Sequence, residues 1–332
     1  MKAAVSVIIP IYNGAAFLDR CLNAVLMQDF DNYEVICIDD GSTDDTYDIL
    51  MSRKESRLRC FKQENTGVWH ARLRGLSEAC GQYIMFCDCD DKPTPNWISA
   101  MHRQAVSTDA DITVCGFRRM DFESGRLICE EMVLSGVLDA KADKIQLAFI
   151  NTSLWNKLYK AEILHSIYQP EQPPRLAEDA LLLTSIYPHV NKVAFVPEVL
   201  YDYYLHGSSA YSRITKEDFE LTREVFKALE KGYPRQFTRL LTCMTVLHWA
   251  VMFSLYLRTG EGKIVKETYR FINDKFPSWK KAVTIRDVVR SNYRRKMIKV
   301  YFAFLLYRLH LFGLFVSISQ FMSDRFGVSL KW

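Results

Sequence analysis

Three carboxylates fall within four residues in Phe86-Cys87-Asp88-Cys89-Asp90-Asp91, directly after the apolar run Gln82 to Cys87. Hard oxygen donors crowded at the end of an apolar run suit a divalent cation, which neutralises them and offers its remaining charge to an anionic ligand. A second acidic segment, Asp39-Asp40-Gly41-Ser42-Thr43-Asp44-Asp45, follows the apolar run Val35-Ile36-Cys37-Ile38. If both runs are strands of one open α/β sheet, their carboxyl ends border the same ligand crevice. A nucleotide carrying a divalent cation fits such a site.

The elements that would position these acids are legible as an alternation. Val5 to Ile11 is an apolar strand, and Ala15 to Gln28 follows with Phe17, Leu18, Cys21, Leu22, Val25 and Leu26 at helical spacing. The unit repeats: a strand at Glu34 to Ile38, a helix from about Thr43 to Lys54, a strand at Arg59 to Phe61, a helix from about Val68 to Cys80, and the strand Gln82 to Cys87. Such alternation predicts an α/β fold with a mainly parallel sheet flanked by helices. Pro95 at a helix start and a strand at Asp111 to Phe117 complete this half. Arg118 to Gly136 reads as a hairpin or excursion from the sheet, and Asp139 to Ile150 as helical. Leu154 to Lys160 leads into a second helix, Ala180 to Tyr187 is a third, and Lys192 to Val196 is a strand ahead of the aromatic run Tyr201-Asp202-Tyr203-Tyr204.

At 332 residues and 49% hydrophobic, the chain buries a substantial core, and a net charge of +4 excludes any general affinity for nucleic acid. Nine dispersed cysteines without a CxxC pair read as reduced core thiols of a cytoplasmic protein. Cys87 and Cys89 flank Asp88 on an extended segment and face away from it. Met1 to Pro10 lacks a small-residue cleavage site and is the first strand rather than a leader.

Beyond about Ile214 the alternation gives way to long helical patterns, which predicts a helical C-terminal region over 214–332. Arg286, Arg290, Arg294, Arg295, Lys296 and Lys299 form a basic stretch ahead of the apolar Val300 to Met322. Arg308 would sit near mid-bilayer in a spanning helix, at roughly 2.5 to 3.5 kcal/mol. Residues 286–322 are therefore expected to contact the inner face of the cytoplasmic membrane, drawn to anionic headgroups, or else to pack on the rest of the chain or on a second copy.

Val5-Ser6-Val7-Ile8-Ile9-Pro10-Ile11-Tyr12-Asn13-Gly14, the Asp39 to Asp44 turn, Asn65-Thr66-Gly67 with Ala71-Arg72, Asp88-Cys89-Asp90-Asp91 and Glu178-Asp179 together resemble, in order and spacing, the family 2 glycosyltransferases. Over about residues 4 to 212 the resemblance implies a GT-A fold, with a nucleotide-binding half at about 1–117 and an acceptor half at about 118–213. It implies an inverting enzyme that moves a sugar from a UDP-sugar donor to a glycan or lipid-linked oligosaccharide in bacterial surface polysaccharide synthesis. A decayed nucleotide-sugar or glycan-binding subunit, or another metal-dependent nucleotidyl transferase, is the alternative.

The same resemblance implies the site residues. Pro10 and Tyr12 would lie against the uracil, Asp40 would accept its ring N–H, and Arg72 would pair with a phosphate or orient a carboxylate. Asp88 and Asp90 match a DxD motif for Mg2+ or Mn2+, with Asp90 ligating directly, Asp88 on ribose or metal, Asp91 as a further donor-side acid and His206 as a further ligand. Asp179 would be the catalytic base, with Glu178 and Trp155 on the acceptor. Tyr204 stands where members commonly carry an arginine, a charge that Arg213 or another residue would then have to supply.

Overall fold

Val5–Ile11 forms strand β1, every residue of it buried. Each fully buried valine or isoleucine there contributes about 1.5–3 kcal/mol, which favours a central position covered on both faces. The computed structural model, which describes residues 3–175, 177–206, 215–247, 262–290 and 294–315, places it so. Helix α1 (Ala15–Leu26) leads to β2 (Tyr33–Asp39), α2 (Thr46–Ser52) to β3 (Leu58–Lys62), and α3 (Val68–Glu78) to β4 (Tyr83–Phe86). β1 pairs in parallel with β2, with Ile11 opposite Asp39, and with β4, with Ile8 opposite Phe86. β2 pairs in parallel with β3. This register is what brings the two acidic segments to one edge of the sheet.

The remaining strands are β5 (Lys92–Pro93), β6 (Ile112–Asp121), β7 (Leu127–Glu131), β8 (Gly136–Asp139), β9 (Lys157–Lys160) and β10 (Lys192–Leu205), with α4 (Trp97–Thr108) after β5. The order is β3-β2-β1-β4-β9-β6-β10-β5, with β7 on β6 and β8 on β10. β9 is antiparallel to both β4 and β6, whereas β6 and β10 are parallel. The excursion at Arg118 to Gly136 is the β6–β7 hairpin and its exit.

Three local expectations change in detail. Asp139 to Ile150 is not one helix: Asp139 closes β8 against Lys192, and only Lys144–Phe149 coils, as a 3-10 turn. Leu154 to Lys160 does lead into a helical segment, the 3-10 helix Ala161–Ser166, but its last four residues are strand β9, too short to show a period. Lys192 to Val196 and the aromatic run are one strand of 14 residues, carried past Pro197 by register shifts between Val196 and Tyr201.

The chain divides into two compact units. One comprises Met1–Ala142, Asn151–Ile167 and His189–Ser209, and holds the sheet; the other comprises Asp143–Ile150, Tyr168–Pro188 and Ala210–Trp332. The second is helical, with α5 (Glu178–Ile186), α6 (Lys216–Gly232), α7 (Thr238–Met244), α8 (Gly262–Lys275), α9 (Ile285–Arg290) and α10 (Arg294–Arg308). Thr215 and Asp218 cap α6 reciprocally, and Tyr233 Oη donates to the Thr184 carbonyl at 2.8 Å. Asp287 turns inward, accepting from Arg239 Nη2 at 2.5 Å and the Thr284 amide at 2.6 Å.

Gly75 lets α3 lie close on β1: a Cβ there would stand 2.3 Å from Ile8 Cγ2. Ile8 is fully buried in a strand paired on both sides and cannot retreat. Gly75→Ala is therefore expected to cost about 1–3 kcal/mol, read as a lower midpoint in urea unfolding followed by circular dichroism; an unchanged midpoint would contradict this packing.

Candidate active site

At the carboxyl ends of β1 to β3, short polar side chains stitch the strand-to-helix turns together. The Asp40 amide donates to the Ile11 carbonyl at 2.8 Å, and the Gln63 amide to the Asp39 carbonyl at 2.9 Å. Asn13, at φ +50°, accepts from the Thr43 amide at 2.8 Å and donates its own amide to Ser42 Oγ at 2.9 Å. Asp44 accepts from the Ala15 amide at 3.1 Å, at the start of α1, and from Thr46. Burial raises its pKa, but these hydrogen bonds prevail and hold the carboxyl below the usual range.

Asp40 is buried, and its carboxylate accepts from Gln63 Nε2 at 2.8 Å, the Thr66 amide at 3.0 Å and the Gly67 amide at 2.8 Å. A carboxylate offers about four lone-pair directions, so it orders the β3–α3 turn and retains acceptor capacity for one more donor. Tyr12, beside it at the end of β1, is 51% exposed and presents an open aromatic ring. Pro10, by contrast, is buried inside β1, so its ring offers no face to a base; this corrects its expected binding role.

The acidic turn begins after β4. The Cys87 amide donates to the Ile8 carbonyl at 3.0 Å, and the Asp88 amide to Tyr201 Oη at 3.1 Å. Arg72, on α3, is buried with Nη2 3.5 Å from Asp88 Oδ1. His206 Nε2 lies 2.6 Å from Asp90 Oδ2. The side chains of Asp88 and Asp90 keep 30% and 26% exposure. Asp91 is fully enclosed, its Oδ1 accepting the Tyr204 amide at 2.9 Å. Burial, then repulsion from Asp90 and Asp88, pushes its carboxyl well above the usual range. Asp91 ties the turn to β10 through Oδ1, while its Oδ2 is buried without a hydrogen-bond partner, so its enclosure differs from the accessible place expected for it among the donor contacts.

Two reachable carboxylates with an imidazole are a donor set that suits Mg2+ or Mn2+. Among the described residues no three histidine, cysteine or acidic side chains already form a closed metal cage. The fit to the implied metal rests on Asp88 and Asp90 alone, accessible hard oxygen donors that would leave the rest of the coordination to ligand phosphate oxygens.

Trp155 is corrected too. Its ring is buried, stacked on Tyr201 at 4.6 Å and Tyr203 at 5.1 Å with Phe117 edge-on at 4.7 Å, so it is a core side chain. Lys157, also buried, donates to the carbonyls of Ser153 at 2.5 Å and Asn151 at 2.8 Å, pinning this segment from within. Glu178 and Asp179, half-buried, begin α5 in the other unit; Arg213 lies outside the described residues. Gln63 and Arg20 had no sequence signal: each reaches the turns through a contact that depends on the fold.

Residues 6–154 match the family model described as Glycosyl transferase family 2. Glycosyltransferase GlyG of Streptococcus pneumoniae serotype 4 is 28% identical over 248 residues, 70% of this chain and 80% of that protein. The crystal structure of S. aureus TarS 1-349 in complex with UDP-GlcNAc superposes with a TM-score of 0.68 at 21% identity, over 93% of this chain and 92% of that one. The mannosyltransferase PcManGT from Pyrobaculum calidifontis, in complex with GDP-Man and Mn2+, gives 0.54 at 16% identity, over 98% and 88%. At these identities the two structures speak for the fold.

Asp40→Asn replaces an acceptor oxygen by an amide that faces backbone N–H groups, at about 1–3 kcal/mol for the unmade bond. The Thr66 and Gly67 amides are expected to exchange with deuterium at least tenfold faster in this variant. Unchanged protection would show that Asp40 does not order the turn.

Proposed function

The chain is a family 2 glycosyltransferase of the GT-A type, and on that premise we propose that it transfers a sugar from a UDP-sugar, with inversion, to a glycan or lipid-linked oligosaccharide in bacterial surface polysaccharide synthesis. The observation that carries this reading is the convergence at one sheet edge of exposed Tyr12, the Asp40 carboxylate and the accessible Asp88 and Asp90. Tyr12 stacks on uracil, and the remaining acceptor capacity of Asp40 takes the ring N–H. Arg72 orients Asp88 or meets a phosphate oxygen. Asp88 and Asp90, with His206, would hold Mg2+ or Mn2+. When bound, the cation neutralises charge on the diphosphate.

In the transfer, an acceptor hydroxyl oxygen bonds to the anomeric carbon while the bond from that carbon to the diphosphate oxygen breaks, its electron pair leaving with UDP. The hydroxyl proton passes to Asp179, and Glu178 contacts the acceptor. Support comes from Ala177, which precedes this pair at φ +60°. A left-handed alanine costs on the order of 1–2 kcal/mol, a strain of the kind retained at functional sites.

The helical unit supports a surface contact. On α9, Ile285 and Val289 are exposed together with Arg286 and Arg290, and Asp287 is turned inward, leaving that basic charge uncompensated. Ile298, Phe302, Leu309, Leu311 and Leu314 are exposed as well. No helix of the described residues is long and apolar enough to cross a membrane. The expected segment runs on to Met322, and its residues 316–322 lie outside the described residues. We place this face on the anionic inner surface of the cytoplasmic membrane.

Release of UDP from a panel of UDP-sugars with the acceptor present is expected to require Mn2+ or Mg2+, to fall at least a thousandfold in Asp179→Asn with UDP affinity retained, and to vanish in Asp90→Ala. Asp179→Asn turning over like wild type would remove it as the base. Ile285→Asp with Val289→Asp is expected to abolish co-sedimentation with phosphatidylglycerol vesicles. Unchanged sedimentation, or a dimer-to-monomer shift in light scattering instead, would reassign the face.

A further inference from the structure

Helix α1 buries Leu18, Cys21, Leu22 and Val25, and Arg20 lies beside that stripe. Its Nη2 donates to the backbone carbonyl of Asp90, its guanidinium carbon is 3.9 Å from the centre of the Tyr204 ring and 5.0 Å from that of Phe122, and its Nε is buried without a hydrogen-bond partner. Among the described residues Arg20 makes no ion pair. Its charge therefore acts on the aromatic faces and the acidic turn.

One helical turn earlier, Phe17 stacks on the His206 ring at 5.2 Å with 24° between planes. Residues three apart share a helix face, so α1 grips both members of the Asp90–His206 pair, one through a backbone carbonyl and the other through its ring. Phe122 closes the box, edge-on to Phe17 at 5.2 Å and to His206 at 6.0 Å. Three aromatic rings, Phe17, Phe122 and Tyr204, and a guanidinium are thus assembled around a contact of 2.6 Å between two groups that the proposed reaction needs.

We infer that Arg20 is a positioning residue: with Phe17, it sets the separation of Asp90 and His206 and thereby the affinity of the acidic turn for its divalent cation in the nucleotide complex. The inference rests on the reading of that turn as a cation and nucleotide site. Arg20 touches neither the Tyr12 end nor the Asp40 end, so it acts through Asp90.

The test is a double-mutant cycle read by electron paramagnetic resonance of free Mn2+ in the presence of UDP, without turnover. Arg20→Met, which keeps an apolar stem, is expected to weaken Mn2+ binding about tenfold, and Arg20→Lys, which keeps the charge over the ring, about threefold or less. In an Asp90→Asn background the same Arg20→Met change is expected to add less than about twofold. Should Arg20→Met not fold, Arg20→Lys and Phe17→Leu carry the test, the latter expected to weaken Mn2+ severalfold through His206. Wild-type protein that binds no Mn2+ with UDP would overturn the reading of the turn itself. Mn2+ binding in wild type, with Arg20→Met equal to it or equally costly in both backgrounds, would overturn the role of Arg20 alone.

Discussion

Like charges repel, and three carboxylates within four residues can share one turn only where something offsets that repulsion. Two unit charges 4 Å apart interact by about 4 kcal/mol at an effective dielectric of 20. The turn meets the constraint differently for each acid. Asp88 lies beside the Arg72 guanidinium, Asp90 faces His206, and Asp91 is enclosed, where burial favours its neutral form. Much of the first unit can be understood from this need. β10 runs for 14 residues along β6 so that Tyr201, Tyr204 and His206 reach the turn, and α3 is drawn onto β1 at Gly75 close enough to bring Arg72 in.

The parallel register supplies the other half of the geometry. Ile11 opposite Asp39 and Ile8 opposite Phe86 put the first three βα turns and the acidic turn on one edge. Asn13, Asp40 and Asp44 hold those turns to one another rather than to water, leaving the Tyr12 ring as an exposed apolar face there. On the proposed function, a base, a diphosphate and a cation would meet these side chains, each held by another part of the protein.

The parallel half was legible in the sequence because β1 and β2 are buried, mostly apolar runs and the helix between them, α1, carries a clear stripe. β9 was not, because four residues are too short to show an alternation; Lys157 within it is buried and satisfied by carbonyls. Among the proposed site residues, Tyr12 and Asp40 follow directly on β1 and β2, whose ends are fixed by local pattern. Asp91 and Trp155 were misplaced because the direction of a side chain out of a turn depends on distant partners: the Tyr204 amide for one, the rings of Tyr201 and Tyr203 for the other. Arg20 is the extreme case, an ordinary helical arginine until the fold sets it against a residue 70 positions away.

The proposed function requires this sheet edge to bind a uridine diphosphate together with a divalent cation. Calorimetric titration of UDP into the full chain, with and without Mn2+, tests it most directly. The proposed function entails saturable binding of one UDP per chain, tightened by at least tenfold when Mn2+ is present. An absence of binding heat under both conditions, confirmed by an unshifted melting temperature at millimolar UDP, would contradict it.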